Sequence, residues 1–65
     1  MYYRLRFKHK RKLCGEVIKY DDALKLALDH AKLDGFCEVW RVLLGGETSK
    51  VATIKIEVGQ IWRET

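Results

Sequence analysis

A single segment with helical periodicity, residues 21–35, separates two segments of β-type alternation, and this arrangement restricts the chain to a few small folds. Asp21 and Asp22 predict the start of the helix, because Asp is a good N-cap and carboxylates suit the positive end of the helix dipole. Gly35 predicts its end, because glycine accepts the left-handed conformation that often follows a helix. The predicted core-facing stripe consists of Ala23, Leu24, Ala27, Leu28 and Ala31, and the predicted solvent-facing stripe of Asp22, Lys25, Asp29 and Lys32.

Two β-type runs precede the helix. Residues 2–8 alternate strictly between apolar and polar side chains, and this period of two predicts a half-buried strand. Residues 17–20 form a second, shorter run. The turn between the runs lies either in the basic stretch 8–12 or at Cys14-Gly15. Both placements predict a hairpin that carries the positive charge.

Two further runs follow the helix. Residues 36–44 and 51–58 each predict a strand, and the segment 45–49 predicts the hairpin loop that joins them. A kink is expected at Gly59, after which residues 60–63 extend the last strand. The residues of this strand expected to face the core are Ala52, Ile54, Ile56 and Val58.

These runs predict a single small α+β domain over residues 1–65, with ββαββ order and an antiparallel sheet that carries one helix on one face. The opposite face of the sheet is expected to have no cover from its own chain. The strand 36–44 has apolar residues on both sides, so it is either a central strand covered twice or a strand that touches a partner. The strand residues that the helix is expected to cover are Tyr3, Leu5, Phe7, Ile54 and Ile56.

The positive charge of the chain is concentrated at its N-terminal end. Residues 1–19 contain seven Lys or Arg and one Glu, a net charge of +6, whereas residues 20–65 contain six Lys or Arg and eight Asp or Glu, a net charge of −2. One-sided positive charge is typical of a surface that meets polyanions or acidic partners. The predicted partner is therefore nucleic acid or nucleoprotein, or else an acidic protein surface.

Basic residues of the predicted hairpin form the candidate binding site. Cations along a projecting ribbon neutralise phosphates and release counterions, which makes the affinity salt-dependent. Tyr2 shares a strand face with Arg4 and Arg6 and adds stacking on an unpaired base, and Trp40 is a second stacking candidate. The alternative is a solvated basic face that only keeps a small protein soluble. The candidate nucleic-acid or partner-binding residues are Tyr2, Arg4, Arg6, Lys8, Lys10, Arg11, Lys12 and Arg41.

Apolar residues exceed what one helix–sheet interface buries. The chain has twenty-five Val, Leu, Ile, Phe, Tyr, Trp and Met residues, and Leu26 and Leu33 fall on the flank of the predicted helix. Exposed apolar clusters usually mark an interface, so a homodimer or an obligate partner is an alternative. The candidate protein-interface residues are Trp40, Leu43, Val51 and Trp62.

Neither a catalytic set nor a metal site is predicted. The chain has only two His and two Cys residues, and their spacings lack the close pairs that zinc sites use. Cys37 with His30 is the only conceivable nucleophile–base pair, and no surrounding signature supports it. A domain this small also rarely encloses a substrate pocket. We therefore expect no enzyme activity, no cofactor, no metal and no small-molecule substrate.

The sequence predicts a cytoplasmic protein. A run of about 18 apolar residues is missing, so no membrane span is expected. The N-terminal residues also lack the continuous apolar region of a signal peptide. In that compartment, Cys14 and Cys37 are expected to be reduced thiols.

In size and layout the chain resembles small proteins of phages and mobile elements. The likeness rests on the order of two strands, a helix rich in Ala and Leu, and a strand at residues 38–42. Some of those proteins, including certain anti-CRISPR proteins, act purely by binding. The resemblance implies, as an alternative function, an inhibitor that binds a host protein complex, and it assigns no role to any residue. A third hypothesis is a homodimeric structural protein with the uncovered sheet face in a two-fold interface.

Overall fold

The structure, a computed structural model, describes residues 1–57 and 59–64. Its elements are β1 (Tyr2–Phe7), β2 (Cys14–Val17), α1 (Tyr20–Asp34), β3 (Phe36–Val42), β4 (Thr48–Glu57) and β5 (Gln60–Glu64). The five strands form one antiparallel sheet in the order β2-β1-β3-β4-β5, and α1 packs on one face of it. The predicted α+β class, with one helix on an antiparallel sheet, is confirmed. A fifth strand is added to the predicted order.

The β1–β2 hairpin turns within the basic stretch. The amide of Lys10 donates to the carbonyl of Phe7 at 3.2 Å, so the chain reverses immediately after β1. Gly15 instead has a φ of 76° and lies where the register between β1 and β2 shifts, as in a β-bulge. The turn is therefore the first of the two predicted alternatives. β2 spans Cys14–Val17, so the predicted run at residues 17–20 is wrong beyond Val17, and Tyr20 already belongs to α1.

The start of α1 differs from the prediction. The N-cap is Lys19, whose side chain makes no capping hydrogen bond, and Asp21 and Asp22 lie inside the first turn. The prediction of an Asp N-cap is therefore wrong. Tyr20 is the first helical residue, and its ring packs against Tyr3, with the ring centroids 5.4 Å apart. Both carboxylates still lie at the positive end of the helix dipole.

The end of α1 is as predicted. Gly35 is the C-cap, with a φ of 88°, and its amide donates to the carbonyl of Ala31. The carbonyl of Gly35 in turn accepts the amide of Ile56 at 3.0 Å. This turn therefore ties the helix end to β4 and aligns the two layers of the domain.

The core lies between α1 and the three strands β1, β3 and β4. Ala23, Ala27 and Ala31 are at most 1% exposed, and their small side chains let α1 lie close to the sheet at native packing density. Cys37 and Val39 of the middle strand are completely buried beneath the helix. The core-facing stripe predicted from helical periodicity is confirmed. The remaining members of the core are Tyr3, Leu5, Ala52 and Ile54.

The β3–β4 loop lies earlier in the chain than predicted. The amide of Leu43 donates to the carbonyl of Glu47 at 2.9 Å, and the amide of Gly46 donates back to Leu43 at 2.9 Å. Residues 43–47 connect the two strands, and Gly46, with a φ of 85°, takes the left-handed position of the tight turn 44–46 that the Leu43–Glu47 hydrogen bond encloses. Leu43 and Leu44, predicted to end β3, therefore belong to the loop, and residues 48–49, predicted in the loop, belong to β4.

The C-terminal segment folds back instead of extending β4. Gly59 has a φ of 77°, and β5 pairs antiparallel with β4, with Ile61 opposite Ile56. The predicted kink and strand extension are therefore wrong, because the same glycine permits a full reversal. Val58, predicted to face the core, lies outside the described residues.

Candidate nucleic-acid interface

The face of the sheet opposite α1, called here the outer sheet face, is rich in aromatic and cationic side chains. Paired residues on antiparallel strands point to the same side, so the register places Arg4 beside Trp40 and Lys55 beside Trp62. The charged and aromatic members of the outer sheet face are Tyr2, Arg4, Arg6, Phe36, Glu38, Trp40, Lys50, Lys55, Glu57, Trp62 and Glu64.

Glu38 is a buried carboxylate at the centre of this face, on the middle strand of the sheet. Its Oε1 accepts a hydrogen bond from Arg6 Nε and another, of 3.0 Å, from Trp40 Nε1. Lys50 Nζ lies 3.6 Å from Oε2. The hydrogen bond from Arg6 is the main cause that holds the pKa of Glu38 below its usual value, although burial acts in the opposite direction. Glu38 is therefore ionised, and the neighbouring cations Arg6 and Lys50 balance its negative charge.

The outer sheet face is partly covered by its own side chains, which corrects the expectation of a bare face. Glu38, Val42 and Thr53 point away from α1, yet they are only 6–7% exposed. The long side chains of Arg6 and Lys50 reach Glu38 and so lie across this surface. The middle strand β3 is thus a central strand, buried beneath α1 on one side and partly covered by neighbouring side chains on the other.

Arg4 and Arg6 are anchored through their Nε atoms. Arg4 donates to the carbonyl of Gly15 at 2.9 Å, and Arg6 donates to Glu38. The guanidinium carbon of Arg6 also lies 5.6 Å from the centroid of the Phe36 ring, within the range of a cation–π contact. The Nη atoms of both arginines make no hydrogen bond within residues 1–57 and 59–64. In each guanidinium, therefore, Nε is bound within the protein and the Nη atoms are available to donate to a ligand.

The basic loop, residues 8–12, continues from β1 into solvent. All five of its side chains are exposed, and Lys8, Lys10, Arg11 and Lys12 carry four positive charges. The loop begins directly where the strand that holds Arg4 and Arg6 ends. Seven of the eight residues predicted to bind nucleic acid or a partner therefore lie on β1 and the loop that follows it, with Tyr2 at the start of the strand.

Arg41 is the predicted binding residue that the fold separates from the others. It is paired with Tyr3 on the helix side of the sheet, and its guanidinium carbon lies 6.0 Å from the Tyr3 ring centroid. Its Nε is buried and has no hydrogen-bond partner among the described residues. Arg41 and its neighbour Trp40 thus point to opposite faces of the sheet.

The residues predicted as a protein interface do not form one patch. Trp40 is half-buried and donates to Glu38, and Trp62 is 55% exposed on the same face, with β4 between the two rings. Leu43 is 41% exposed in the β3–β4 loop. Val51 lies at an irregularity in β4 and packs against the core. Of the flanking leucines, Leu33 is 85% exposed.

An apolar groove that was not predicted lies between α1 and β5, on the helix side of the sheet. It has a volume of about 320 Å³ and is lined by Leu24, Leu28, Ile54 and Ile61. Cationic side chains, including Arg63, stand at its margin. Sequence reasoning missed the groove because it exists only if β5 folds back along β4.

The histidines and cysteines are dispersed. The ring of His30 packs on Phe7, with the centroids 4.4 Å apart. Both thiols are free, and burial raises the pKa of Cys37 to about 12. Among residues 1–57 and 59–64, no group of three or more His, Cys, Asp or Glu side chains is arranged to hold a metal ion. Within the same ranges, no helix has the length and apolarity needed to span a membrane.

Sequence reasoning did not identify Glu38 as a residue that organises this surface. The signal that marks it is a lone carboxylate within the apolar run 36–44. Its partner Arg6 is 32 positions away, so the pair is visible only once β1 and β3 are known to be neighbours.

Comparison of this chain with protein-family models, with curated proteins and with solved structures finds no match. Function is therefore inferred from the geometry and charge of the surface.

Proposed function

We propose that this protein is a non-catalytic binder of single-stranded nucleic acid, free or within a nucleoprotein, and that it uses the basic loop and the outer sheet face. The observation that carries the proposal is the exposed basic loop, which leads directly into a sheet face with aromatic and cationic side chains. Basic grooves combined with aromatic platforms are the usual means of binding unpaired strands. Phosphates would lie along the loop and bases on the sheet.

The charge of the basic loop sets the expected salt dependence. Its four cations are fully available, since none makes a salt bridge within the described residues. Single-strand binding loses affinity with a logarithmic slope of about −0.7 per neutralised phosphate, so four contacts give a slope of about −3. The affinity is then expected to fall about 50-fold when the salt concentration rises fourfold.

The aromatic side chains of the outer sheet face favour unpaired over paired strands. Trp62 is 55% exposed, and Trp40 is oriented by its hydrogen bond to Glu38. Stacking of a base on an aromatic side chain contributes about 1–3 kcal/mol, and it requires a base that is free of its own duplex. A duplex is expected to bind through its phosphates alone, and therefore more weakly than a single strand.

Fluorescence anisotropy with single- and double-stranded oligonucleotides at low and physiological salt tests this proposal. The triple variant Lys10→Gln, Arg11→Gln, Lys12→Gln is expected to make the salt-dependence slope shallower by about 2. A matched control with the same net charge replaces Lys19, Lys25 and Lys32 by Gln, all exposed and outside the loop. No binding even at low salt, or equal losses in the two triple variants, would overturn the proposal.

A second candidate function, protein binding, is favoured by the apolar groove beside β5. This strand is at the edge of the sheet, and all five of its residues are exposed, so its free backbone groups are open to strand addition. The cations at the groove, Lys25 and Arg63, match an extended segment with alternating apolar and acidic residues. Such a partner would suit an inhibitor of a larger complex.

Calorimetric titration with a synthetic peptide of alternating Val and Glu residues tests this second function. The Ile61→Asp variant is expected to abolish binding, whereas Leu44→Asp, an equal change in the exposed β3–β4 loop, is expected to leave it intact. Light scattering of the free protein identifies a homodimer. A dimer that Ile61→Asp dissociates would mean that a second copy occupies the groove instead.

A further inference from the structure

A hollow of about 360 Å³ opens at the end of the sheet where β1 runs into the basic loop. Cations from three segments surround it, namely Arg6 of β1, Lys8 of the basic loop and Lys55 of β4, and Phe36 provides an aromatic wall. The sequence separates these residues widely, and the β1–β3–β4 order of the sheet brings them together.

Arg6 is positioned for a ligand in this hollow. Its Nε is held by Glu38 and its guanidinium lies against the Phe36 ring, so the side chain has lost most of its freedom before any ligand arrives. Its Nη atoms make no hydrogen bond within the described part of the chain, and 30% of the side chain is exposed. A planar guanidinium fixed in this way offers two parallel donors to an oxyanion.

The charge of the hollow matches a phosphate group. Arg6, Lys8 and Lys55 contribute three positive charges and Glu57 one negative charge, which leaves a net formal charge of +2. Counting Glu38, the main partner of Arg6, together with Lys50 beside it adds one negative and one positive charge, so the net formal charge stays at +2. A phosphate monoester carries about −1.5 to −2 at pH 7, and a phosphodiester carries about −1.

We propose that this hollow holds one phosphate group of the bound strand, with Arg6 donating from Nη and Lys8 and Lys55 donating from Nζ. The inference rests on the proposed nucleic-acid function and adds a defined recognition point to it. The phosphate is either a terminal monoester or an internal phosphodiester, which share the same oxyanion chemistry. The rest of the basic loop acts by general attraction, whereas the hollow acts by directed hydrogen bonds.

Single-charge variants separate the two contributions. Lys8→Gln and Lys55→Gln remove one cation each from the hollow, and Lys10→Gln and Lys25→Gln remove one cation each elsewhere on the surface. Binding is measured with a single strand of about ten nucleotides, a length within the usual site size, carrying either a 5′-phosphate or a 5′-hydroxyl. Circular dichroism of each variant confirms that the fold is retained.

The hollow variants are expected to lose about tenfold in affinity, the effect of a lost charge-assisted hydrogen bond, and the control variants less than about fivefold. A loss confined to the 5′-phosphorylated strand assigns the hollow to a terminal phosphate, and equal losses on both strands assign it to an internal one. Equal losses in hollow and control variants would overturn this inference and leave the proposed function standing. If the wild-type protein binds neither strand at low salt, the proposed function itself fails.

A second readout addresses Arg6 directly. Substituting Arg6 would leave Glu38 without its main partner, so the wild-type side chain is followed instead by NMR of its Nε–H group. Addition of the 5′-phosphorylated strand is expected to shift this resonance in the wild type and less in Lys55→Gln. An unchanged resonance at saturating strand would contradict a phosphate in the hollow.

Discussion

Replacement of Glu38 by Gln removes one buried charge and keeps the shape of the side chain. The carboxylate is 8% exposed and has three partners, Arg6, Trp40 and Lys50. Glutamine retains one oxygen acceptor, so only the charge-assisted part of these contacts is lost. We expect the free energy of unfolding at pH 7 to fall by about 1–2 kcal/mol, a typical value for hydrogen bonds to a charged group. A domain of 65 residues has about 3–10 kcal/mol in total.

The pH dependence of this loss identifies the charge as its cause. The pKa of folded Glu38 lies below its unfolded value, so the carboxylate stabilises the fold fully above the unfolded pKa, and this stabilisation is lost as the pH falls through the folded pKa. Plots of the free energy of unfolding against pH for the wild type and Glu38→Gln should therefore differ at pH 7. They should converge in acid, below the unfolded pKa of about 4.5.

Urea unfolding of both proteins from pH 7 down to acid measures the difference. Glu16→Gln serves as the control, because Glu16 is exposed on β2 and makes no salt bridge within the described residues, so its curve should follow the wild type. A difference between wild type and Glu38→Gln that is equally large at pH 7 and in acid would refute the reasoning. So would a Glu38→Gln protein that is more stable than the wild type at pH 7.

Three further perturbations test the core, the helix end and the thiols. Val39→Ala removes two methyl groups from a completely buried site, so urea unfolding should show a loss of about 2–3 kcal/mol, and a loss below about 1 kcal/mol would contradict the packing. Gly35→Ala should cost about 1–2 kcal/mol because of the φ of 88°, whereas Gly45→Ala, which has open space and no positive φ, should be close to neutral in the same assay. Cys37 is buried and its pKa is raised to about 12, so at pH 8 a maleimide should modify Cys14 in the native protein and Cys37 only in urea. Equal rates of modification of the two cysteines in the native protein would contradict the fold.

Local patterns predicted the parts of the fold that depend on neighbours along the chain. The stripe of Ala23, Ala27 and Ala31 predicted the buried face of α1 because residues three and four positions apart meet on a helix. Gly35 predicted the helix end because few other residues adopt a positive φ readily. The exposed basic loop was predicted as well, since a stretch without apolar residues has nothing to bury.

Other features of the candidate site depended on which strands become neighbours. Its charge alone groups Arg41 with the basic surface, but alternation along β3 places it on the helix side, beside Tyr3. Glycine at position 59 is compatible with both a kink and a reversal, and only the pairing of β5 with β4 selects the reversal. The apolar groove beside Ile61 follows from that pairing.

By itself, the sequence determined the helix, the alternating strands and the concentration of positive charge in residues 1–19, because these are properties of a few consecutive residues. Only the tertiary structure decided what that charge can do. By placing β1 beside β3, the fold ties Arg6 to Glu38 and to Phe36, and by placing β4 next to β3 it brings Lys55 to the same hollow. Turn geometry and alternation help to set the register of a hairpin. The pairing of β1 with β3, which brings Arg6 to Glu38 from 32 positions away, depends on the strand order, and no local pattern specifies that order.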